Sequence, residues 1–159
     1  MAALHVQCWR EAYTHFVPPE VSATFDASRM AERWQEHIDN SNRFLIAAFD
    51  GDVPVGFINQ GRPVEKIFDE MDGHIAAIYV LQSHYRRGIG RTLIGMAAQD
   101  WLSKGGHSIA LGVLSENIRA RSFYEALGAR FVQAGTFEWA GHLLPDCVYV
   151  FENLPSLIP

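Results

Sequence analysis

Cysteine is scarce in this sequence, and neither a long apolar run nor an excess of basic residues is present. The two cysteines, Cys8 and Cys147, are too few for a disulfide framework and predict a reduced, cytoplasmic protein with two packed thiols. No apolar run reaches the roughly 18–20 residues that span a bilayer, so no membrane association of that kind is expected. The N-terminus lacks a basic segment followed by an apolar core, and no export signal is predicted.

Acidic side chains outnumber basic ones, 18 to 13, which gives a net charge of −5 with histidine neutral. Non-specific nucleic-acid binding depends on many basic contacts to phosphate, so the composition argues against a nucleic-acid partner. The hydrophobic fraction of 48% and the charged fraction of 19% are those of a globular protein and exclude a disordered chain. The histidines are scattered without metal-ligand spacing, and no metal site is predicted.

The chain has neither an internal repeat nor a linker-like stretch, so residues 1–159 are expected to form one domain. Apolar residues at four-residue steps predict helices over residues 4–16, 28–38, 89–101 and 117–127. Short apolar runs bounded by turn residues predict strands over residues 43–49, 53–58, 74–80, 107–114, 131–137 and 147–151. An Asp-Gly pair indicates a hairpin between the first two strands, and a loop with glycine and proline is expected between the last two. This order predicts a mixed α/β sheet with helices on its faces.

The most informative segment is a basic turn between a predicted strand and a predicted helix. Its sequence is Tyr85-Arg86-Arg87-Gly88-Ile89-Gly90. A helix N-terminus offers free backbone N–H groups and about half a positive charge, and glycine lets the backbone approach an anion closely. Arg86, Arg87 and the following Arg91 add donors at the same place, so the turn predicts a site for phosphate or pyrophosphate. The spacing matches neither a P-loop nor the dinucleotide fingerprint, whose third glycine is replaced by Leu93.

Two separated segments carry a resemblance to a known family. The first joins Ile78-Tyr79-Val80 to the run Arg86-Arg87-Gly88-Ile89-Gly90-Arg91-Thr92-Leu93, and the second extends over residues 113–129, with Asn117, Tyr124 and a Leu-Gly pair. Over about residues 75–131 the chain resembles the GNAT N-acetyltransferase superfamily. The resemblance implies an α/β fold with a mixed, mostly antiparallel, splayed sheet flanked by helices.

The resemblance also implies a reaction and a set of site residues. An acetyl group would move from acetyl-CoA, as co-substrate, to a primary amine by direct attack within a ternary complex. An N–H near Val80 would stabilise the oxyanion, and Tyr124 would protonate the departing thiolate. The implied cofactor contacts are Ile78, Tyr79, Val80, Arg86, Arg87, Gly88, Ile89, Gly90, Arg91 and Asn117.

Several positions depart from the family pattern. Tyr85 stands where Gln or Arg is usual, and His74 stands where many members carry Glu, which makes His74 the candidate base acting through a water. Gly112 replaces a glutamate of protein-acetylating members and favours a small-molecule acceptor. The chain begins within the first helix, so the usual first strand is expected to be absent, and the exposed sheet edge would favour a homodimer.

The sequence gives fewer indications of the acceptor site than of the acetyl-CoA site. Aromatic residues are candidates for its lining, with ordinary packing as the alternative for each: Trp9, Tyr13, Trp34, Phe137 and Trp139. Three glutamates are candidates for attracting a cationic amine: Glu11, Glu36 and Glu138. Three alternative hypotheses for the function of the chain stay open: a catalytically silent acyl-CoA-binding domain, a protein N-terminal or lysine acetyltransferase, and a nucleotide-binding module.

Overall fold

The computed structural model describes residues 1–39, 44–61 and 73–158. Its helices are α1 (Ala2–Tyr13), α2 (Pro19–Ala23), α3 (Ala27–Asp39), α4 (Ile89–Ser103) and α5 (Ile118–Ala126). Its strands are β1 (Phe44–Asp50), β2 (Val53–Gly61), β3 (Gly73–Val80), β4 (Ile109–Leu114), β5 (Arg130–Trp139) and β6 (His142–Phe151). None of the helices in these ranges is long and apolar enough to cross a membrane.

The strands form one sheet in the order β1-β2-β3-β4-β6-β5. Every neighbouring pair is antiparallel except β3 and β4, which are parallel. Helices cover both faces: one apolar core joins the sheet to α4 and α5, and a second joins it to α1 and α3. The prediction of a mixed, mostly antiparallel sheet flanked by helices is therefore confirmed.

The parallel pair separates after a short stretch. β3 and β4 pair only at three positions, from Gly73 opposite Ile109 to Ile75 opposite Leu111. Beyond this point β3 continues to Val80 along β2, and β4 continues to Leu114 along β6. A shift of register at the β2–β3 pairing leaves Ala76 as an extra residue at the point of separation. The result is a gap between β3 and β4 that opens toward their carboxyl ends.

The last two strands correct one expectation. The predicted loop with glycine and proline is wrong, because Ala140 and Gly141 close a tight turn with φ values of 50° and 77°. Pro145 lies inside β6 opposite Thr136. Proline has no N–H, but its carbonyl still accepts a hydrogen bond of 2.9 Å from the N–H of Ser115. The hairpin can therefore keep its register through this proline.

The N-terminal region also differs in detail from the sequence expectation. The first helix begins at Ala2 and ends at Tyr13 rather than near residue 16. The short helix α2 was not predicted, because two prolines indicated only a stop, whereas Pro19 occupies a first-turn position where a missing N–H costs nothing. Arg43, which the predicted first strand included, lies outside the described residues.

Candidate functional site

The basic turn has the backbone expected of an anion site. Arg86 and Gly88 both have positive φ, 64° and 82°, and Gly88 precedes the first residue of α4. The first described bond of this helix runs from the N–H of Thr92 to the carbonyl of Gly88 at 3.0 Å. The N–H groups of residues 89–91 thus have no partner within the helix. They lie at the positive end of its dipole, where an anion is stabilised.

Basic side chains surround this turn. Arg86, Arg87 and Arg91 are all exposed. Arg87 makes a loose ion pair of 3.8 Å with Asp50, a carboxylate that also contacts His84 Nε2 at 3.2 Å. Such exposed pairs contribute little and are easily exchanged for a stronger anion. The arginines are therefore free to contact a diphosphate.

Two contacts join the turn to helix α5. The ring of Phe123 packs so closely on Gly90 that a Cβ there would lie 3.0 Å from Phe123 Cζ. The guanidinium of Arg119 lies 5.0 Å from the centre of the Tyr85 ring, a cation–π distance. Tyr85, which departs from the family pattern, therefore ties the turn to α5 through its ring.

Backbone hydrogen bonds show which edge of β3 faces the gap. The N–H of Leu81 donates to the carbonyl of Val55 at 2.8 Å, while Val80 lies opposite Gly56. Successive N–H groups of a strand point to opposite edges. The N–H of Val80 therefore points away from β2 and into the gap.

Three tyrosines from different elements meet beside the gap. They are Tyr13 of α1, Tyr79 of β3 and Tyr124 of α5, named here the tyrosine cluster. Burial raises the pKa of all three hydroxyls, and interactions with Tyr79 and Asn117 partly offset this for the pKa of Tyr13. The Tyr124 hydroxyl thus keeps its proton at neutral pH and can act as a donor.

Asn117 has two roles at this place. Its Oδ1 accepts a hydrogen bond of 3.1 Å from the N–H of Ala120, which confirms the predicted N-cap of α5. It also interacts with Tyr13 of the cluster. The cap therefore lies where the carboxyl end of β4 meets the gap.

A cavity of about 270 Å³ lies on the α1 and α3 side of the sheet, next to Tyr79. We call it the aromatic cavity because most of its lining side chains carry rings. The lining residues are His5, Trp9, Phe25, Met30, Arg33, Trp34, His37, Phe57, Asn59, Ala76, Ala77, Tyr79 and Trp139. The acceptor-site candidates Trp9, Trp34 and Trp139 are thus brought together, and Tyr13 lies in the adjoining cluster.

His5 is surrounded by the rings of this cavity. Its centroid lies 5.0 Å from those of Phe57 and Tyr79 and 5.1 Å from that of Phe25. Burial, followed by the nearby His37 and Arg33, lowers the pKa of His5 to about 4. The imidazole is therefore neutral at pH 7.

Two buried polar atoms at the cavity have no hydrogen-bond partner among the described residues. They are His5 Nδ1 and Trp34 Nε1, one from α1 and one from α3. Unpaired buried polar atoms are uncommon in folded proteins, because each loses its hydration without compensation. The cavity therefore offers two polar atoms whose hydrogen-bonding capacity is not used by the described residues.

The remaining predicted residues are placed as follows. Ile78 and Val80 pack toward the α4 and α5 core, so that their backbone, and not their side chains, is available to the gap. His74 lies where β3 and β4 still pair, opposite Ala110, and it is not among the residues that line the aromatic cavity. Six residues of strand, about 20 Å, separate it from Val80.

The predicted glutamates do not line the aromatic cavity. The Glu11 carboxylate accepts a hydrogen bond from the backbone N–H of Gln82, and Glu36 is exposed on α3. Glu138 borders a second, more open pocket together with Phe137. In the described part of the chain, no group of three or more His, Cys, Asp or Glu side chains is arranged to hold a metal ion.

Sequence reasoning did not identify most of the lining residues as members of the site, among them His5, Phe25 and Phe57. His5 stands on a helix face beside Cys8 and Trp9, and a lone histidine there gives no signal of its own. The sequence signal for this cavity was a histidine and several aromatic residues at spacings that place them on inward faces. The same pattern is typical of ordinary core packing, so it did not identify a cavity.

Comparison with known proteins agrees with this geometry. The sequence model of the acetyltransferase (GNAT) family matches residues 6–129. The uncharacterized N-acetyltransferase YuaI of Bacillus subtilis (strain 168) is 26% identical over 157 residues, covering 99% of this chain and 88% of that protein.

Two solved structures share the fold. The aminoglycoside 6'-acetyltransferase type Ii has a TM-score of 0.67 and 24% identity, covering 99% of this chain and 90% of that one. The PaiA N-acetyltransferase of Thermoplasma acidophilum, in complex with coenzyme A, has a TM-score of 0.67 and 16% identity, covering 91% and 89%. With the family match over residues 6–129, these findings show that the chain belongs to the acetyltransferase (GNAT) family.

Proposed function

We propose that this protein is an N-acetyltransferase that moves the acetyl group of acetyl-CoA to a primary amine of a small molecule. The observation that carries the proposal is the gap between β3 and β4, with the basic turn at its mouth and the buried Tyr124 beside it. The crystallised relative with coenzyme A supports this choice of co-substrate. The two unpaired, buried cysteines support a reducing compartment such as the cytoplasm.

The residues along the gap would hold acetyl-CoA as follows. The unpaired N–H groups at the start of α4, with Arg86, Arg87 and Arg91, would hold the pyrophosphate. The free edge of β3 from Ile78 to Val80 would pair with the amide groups of the pantetheine arm, as an added strand does. Asn117 stands at the opposite side of the gap and would contact the same arm.

The chemistry would take place at the end of this edge. Bound acetyl-CoA supplies an acetyl thioester whose C–S bond breaks as the C–N bond to the amine forms. The Val80 N–H points into the gap and would stabilise negative charge on the thioester oxygen. Tyr124, whose pKa is raised by burial, would donate its proton to the sulfur. The amine proton would pass to a base. His74, predicted for this role through a water, lies about 20 Å along β3 from Val80, farther than one water can bridge, and a His74→Gln variant tests whether it takes part.

A thiol-release assay with acetyl-CoA tests this function, across polyamines, aminoglycosides, amino acids, arylalkylamines and peptides. Tyr124→Phe should lower kcat at least a hundredfold and leave the affinity for coenzyme A nearly unchanged. Tyr149→Phe is the matched control, because it keeps the ring that lies next to Tyr124 and removes a hydroxyl that bonds to Arg121 and Glu125 and not to the cluster. It should lower stability but not kcat.

Three outcomes would contradict the proposal. Binding of coenzyme A without turnover of any amine would favour a silent acyl-CoA-binding domain. Turnover of peptides alone would favour a protein acetyltransferase. Binding of ADP as tight as that of acetyl-CoA would favour a nucleotide-binding module.

We also propose that two copies associate. Two large apolar side chains, Phe131 and Leu143, are exposed on one face of the β5–β6 hairpin, at the edge of the sheet farthest from β1, whereas the exposed Phe137 lies on the other face of the hairpin. Apolar groups on an edge hairpin favour pairing with another chain. Sedimentation velocity should show a dimer for the wild type and a weaker one for Leu143→Lys, and a monomer at all concentrations would refute it.

A further inference from the structure

The aromatic cavity has the volume of a site for one ring with a short chain. It measures about 270 Å³. A cavity of about 150 Å³ is enough for a benzene molecule. Its rings meet at steep angles, such as Trp34 and Phe57 at 80° with centroids 4.9 Å apart. An aromatic guest could therefore make edge-to-face contacts with them, which add to the effect of apolar burial.

The charges around the cavity disfavour an acceptor with several ammonium groups. Among the described lining residues there is no Asp or Glu, and Arg33 is the permanently charged side chain. Burial, followed by His37 and Arg33, lowers the pKa of His5, which is the direction expected where a positive charge is unfavourable. The facing groups are Arg33 and His37 of α3 and the amide of Asn59 of β2, 2.9 Å from His37 Nδ1. Glu32 and Glu138 line the adjoining, more open pocket, so a second ammonium group would have no countercharge among the lining residues of the cavity itself.

The same environment suits a neutral amine. Attack on a thioester requires the unprotonated amine, and a site that disfavours positive charge lowers the pKa of an amine placed in it. The unpartnered Nδ1 of His5 can accept a hydrogen bond from that amine, and the unpartnered Trp34 Nε1 can donate one to a polar atom of the ligand. Tyr79 connects this position to the tyrosine cluster.

We propose that the acceptor is a monoamine with a single ring, aromatic or of similar size, which occupies the aromatic cavity with its amino group on the side of His5 and Tyr79. This inference rests on the proposed function, because it names the acceptor of that reaction. Polyamines, aminoglycosides and peptides are thereby the disfavoured acceptors.

The first test compares amines that differ only in the ring. 2-Phenylethylamine should exceed ethylamine in kcat/KM by about a hundredfold, from burial of one phenyl group. It should also exceed spermidine, kanamycin and a peptide with a free N-terminus and a lysine. Trp34→Phe keeps an aromatic ring and removes the N–H. For an acceptor with a polar atom on its ring, such as tyramine, it should raise KM with little change in kcat, and it should leave the KM for 2-phenylethylamine nearly unchanged.

The second test concerns charge. Benzylamine and 1,4-bis(aminomethyl)benzene share a ring, but the second carries one more ammonium group. Arg33→Glu should shift the ratio of their kcat/KM values toward the diamine by about tenfold. Arg10→Glu makes the same change of net charge on an exposed position of α1 that does not line the cavity, and it should leave the ratio unchanged.

The outcomes separate this inference from the proposed function. If ethylamine or spermidine is used as well as 2-phenylethylamine, while Tyr124→Phe still lowers kcat, the inference is wrong and the acetyltransferase function stands. Equal responses of the Arg33 and Arg10 variants would also overturn it. If coenzyme A does not bind, the proposed function fails, and the inference fails with it.

Discussion

The carboxylate of Glu11 in α1 accepts a hydrogen bond of 2.7 Å from the backbone N–H of Gln82, between β3 and the basic turn. The same carboxylate accepts a bond of 3.0 Å from Gln7 Nε2, one helical turn earlier. Glu11 therefore attaches the helix that carries Tyr13 to the segment that leads from the gap to the pyrophosphate turn. Through this contact, the position of the basic turn is coupled to the position of α1, and therefore to that of Tyr13 in the tyrosine cluster.

Replacing Glu11 by alanine should loosen this attachment. The affinity for coenzyme A should fall a fewfold, and the free energy of unfolding by about 1 kcal/mol, because water can partly replace the exposed bond. Isothermal titration calorimetry and urea unfolding would measure the two effects. Gln7→Ala removes only the contact within the helix and should leave the affinity unchanged. Equal effects of the two variants would contradict the coupling.

Gly88 offers a test of the turn with a closely matched control. Gly88 and Gly105 both have a φ of 82°, and at each a Cβ would meet no atom within 4 Å. Alanine at either position should therefore cost about 1 kcal/mol of stability through backbone strain alone. Only Gly88→Ala should also weaken coenzyme A binding, because Gly88 precedes the helix N-terminus that would hold the diphosphate. Equal affinities of the two variants would place the diphosphate elsewhere.

Gly106 is expected to be the most sensitive glycine for folding. A Cβ there would lie 2.1 Å from Trp101 Nε1, and Trp101 is buried with 7% exposure. Gly106→Ala should lower the free energy of unfolding by about 3 kcal/mol, since the indole must move within a packed core. Urea denaturation would measure this. Adding Trp101→Phe should recover part of the loss, and a Gly106→Ala protein as stable as wild type would show that the indole relaxes freely.

The acid stability of the protein should depend on His5. Its pKa is lowered to about 4 in the folded state from 6.5, so the unfolded chain takes up the proton first as pH falls. This contribution is fully present above pH 6.5 and is lost as pH decreases toward 4. Between pH 7 and 4, the wild type should lose about 3 kcal/mol more than His5→Phe. If the free energies of unfolding of the two proteins change in parallel with pH, the pKa of His5 is not lowered by folding and the prediction is wrong.

Local signals explain why the helices and the turn could be predicted. The start of α4 could be predicted because glycine and arginine residues lie within a few positions of one another. The N-cap at Asn117 could be predicted from that side chain and the helix that follows it. The Gly-containing turn after Asp50 likewise needs only its neighbours. The β5–β6 turn was not predicted, because Pro145 usually interrupts a strand and therefore indicated a longer loop. In the structure the turn is Ala140-Gly141, and Pro145 lies inside β6.

The site itself depends on contacts between distant segments. The aromatic residues of α1 and α3 gave the same pattern as a plain core, and only their position against β2 and β3 shows that they enclose a cavity around His5. Similarly, the position of His74 in the closed part of the sheet follows from the β3–β4 register. No periodicity within one strand reveals where its pairing with another strand ends.

The sequence by itself determined the family, the order of the strands and of the longer helices, the basic turn and the candidate acid Tyr124, because each rests on residues close together in the chain. The tertiary structure alone decided where β3 and β4 part, which tyrosines meet at the gap and which rings surround His5. Local backbone preference acts over a few residues. Burial, hydrogen-bond completion and the pKa of His5 are set by side chains from separate elements of the chain that only the fold brings together.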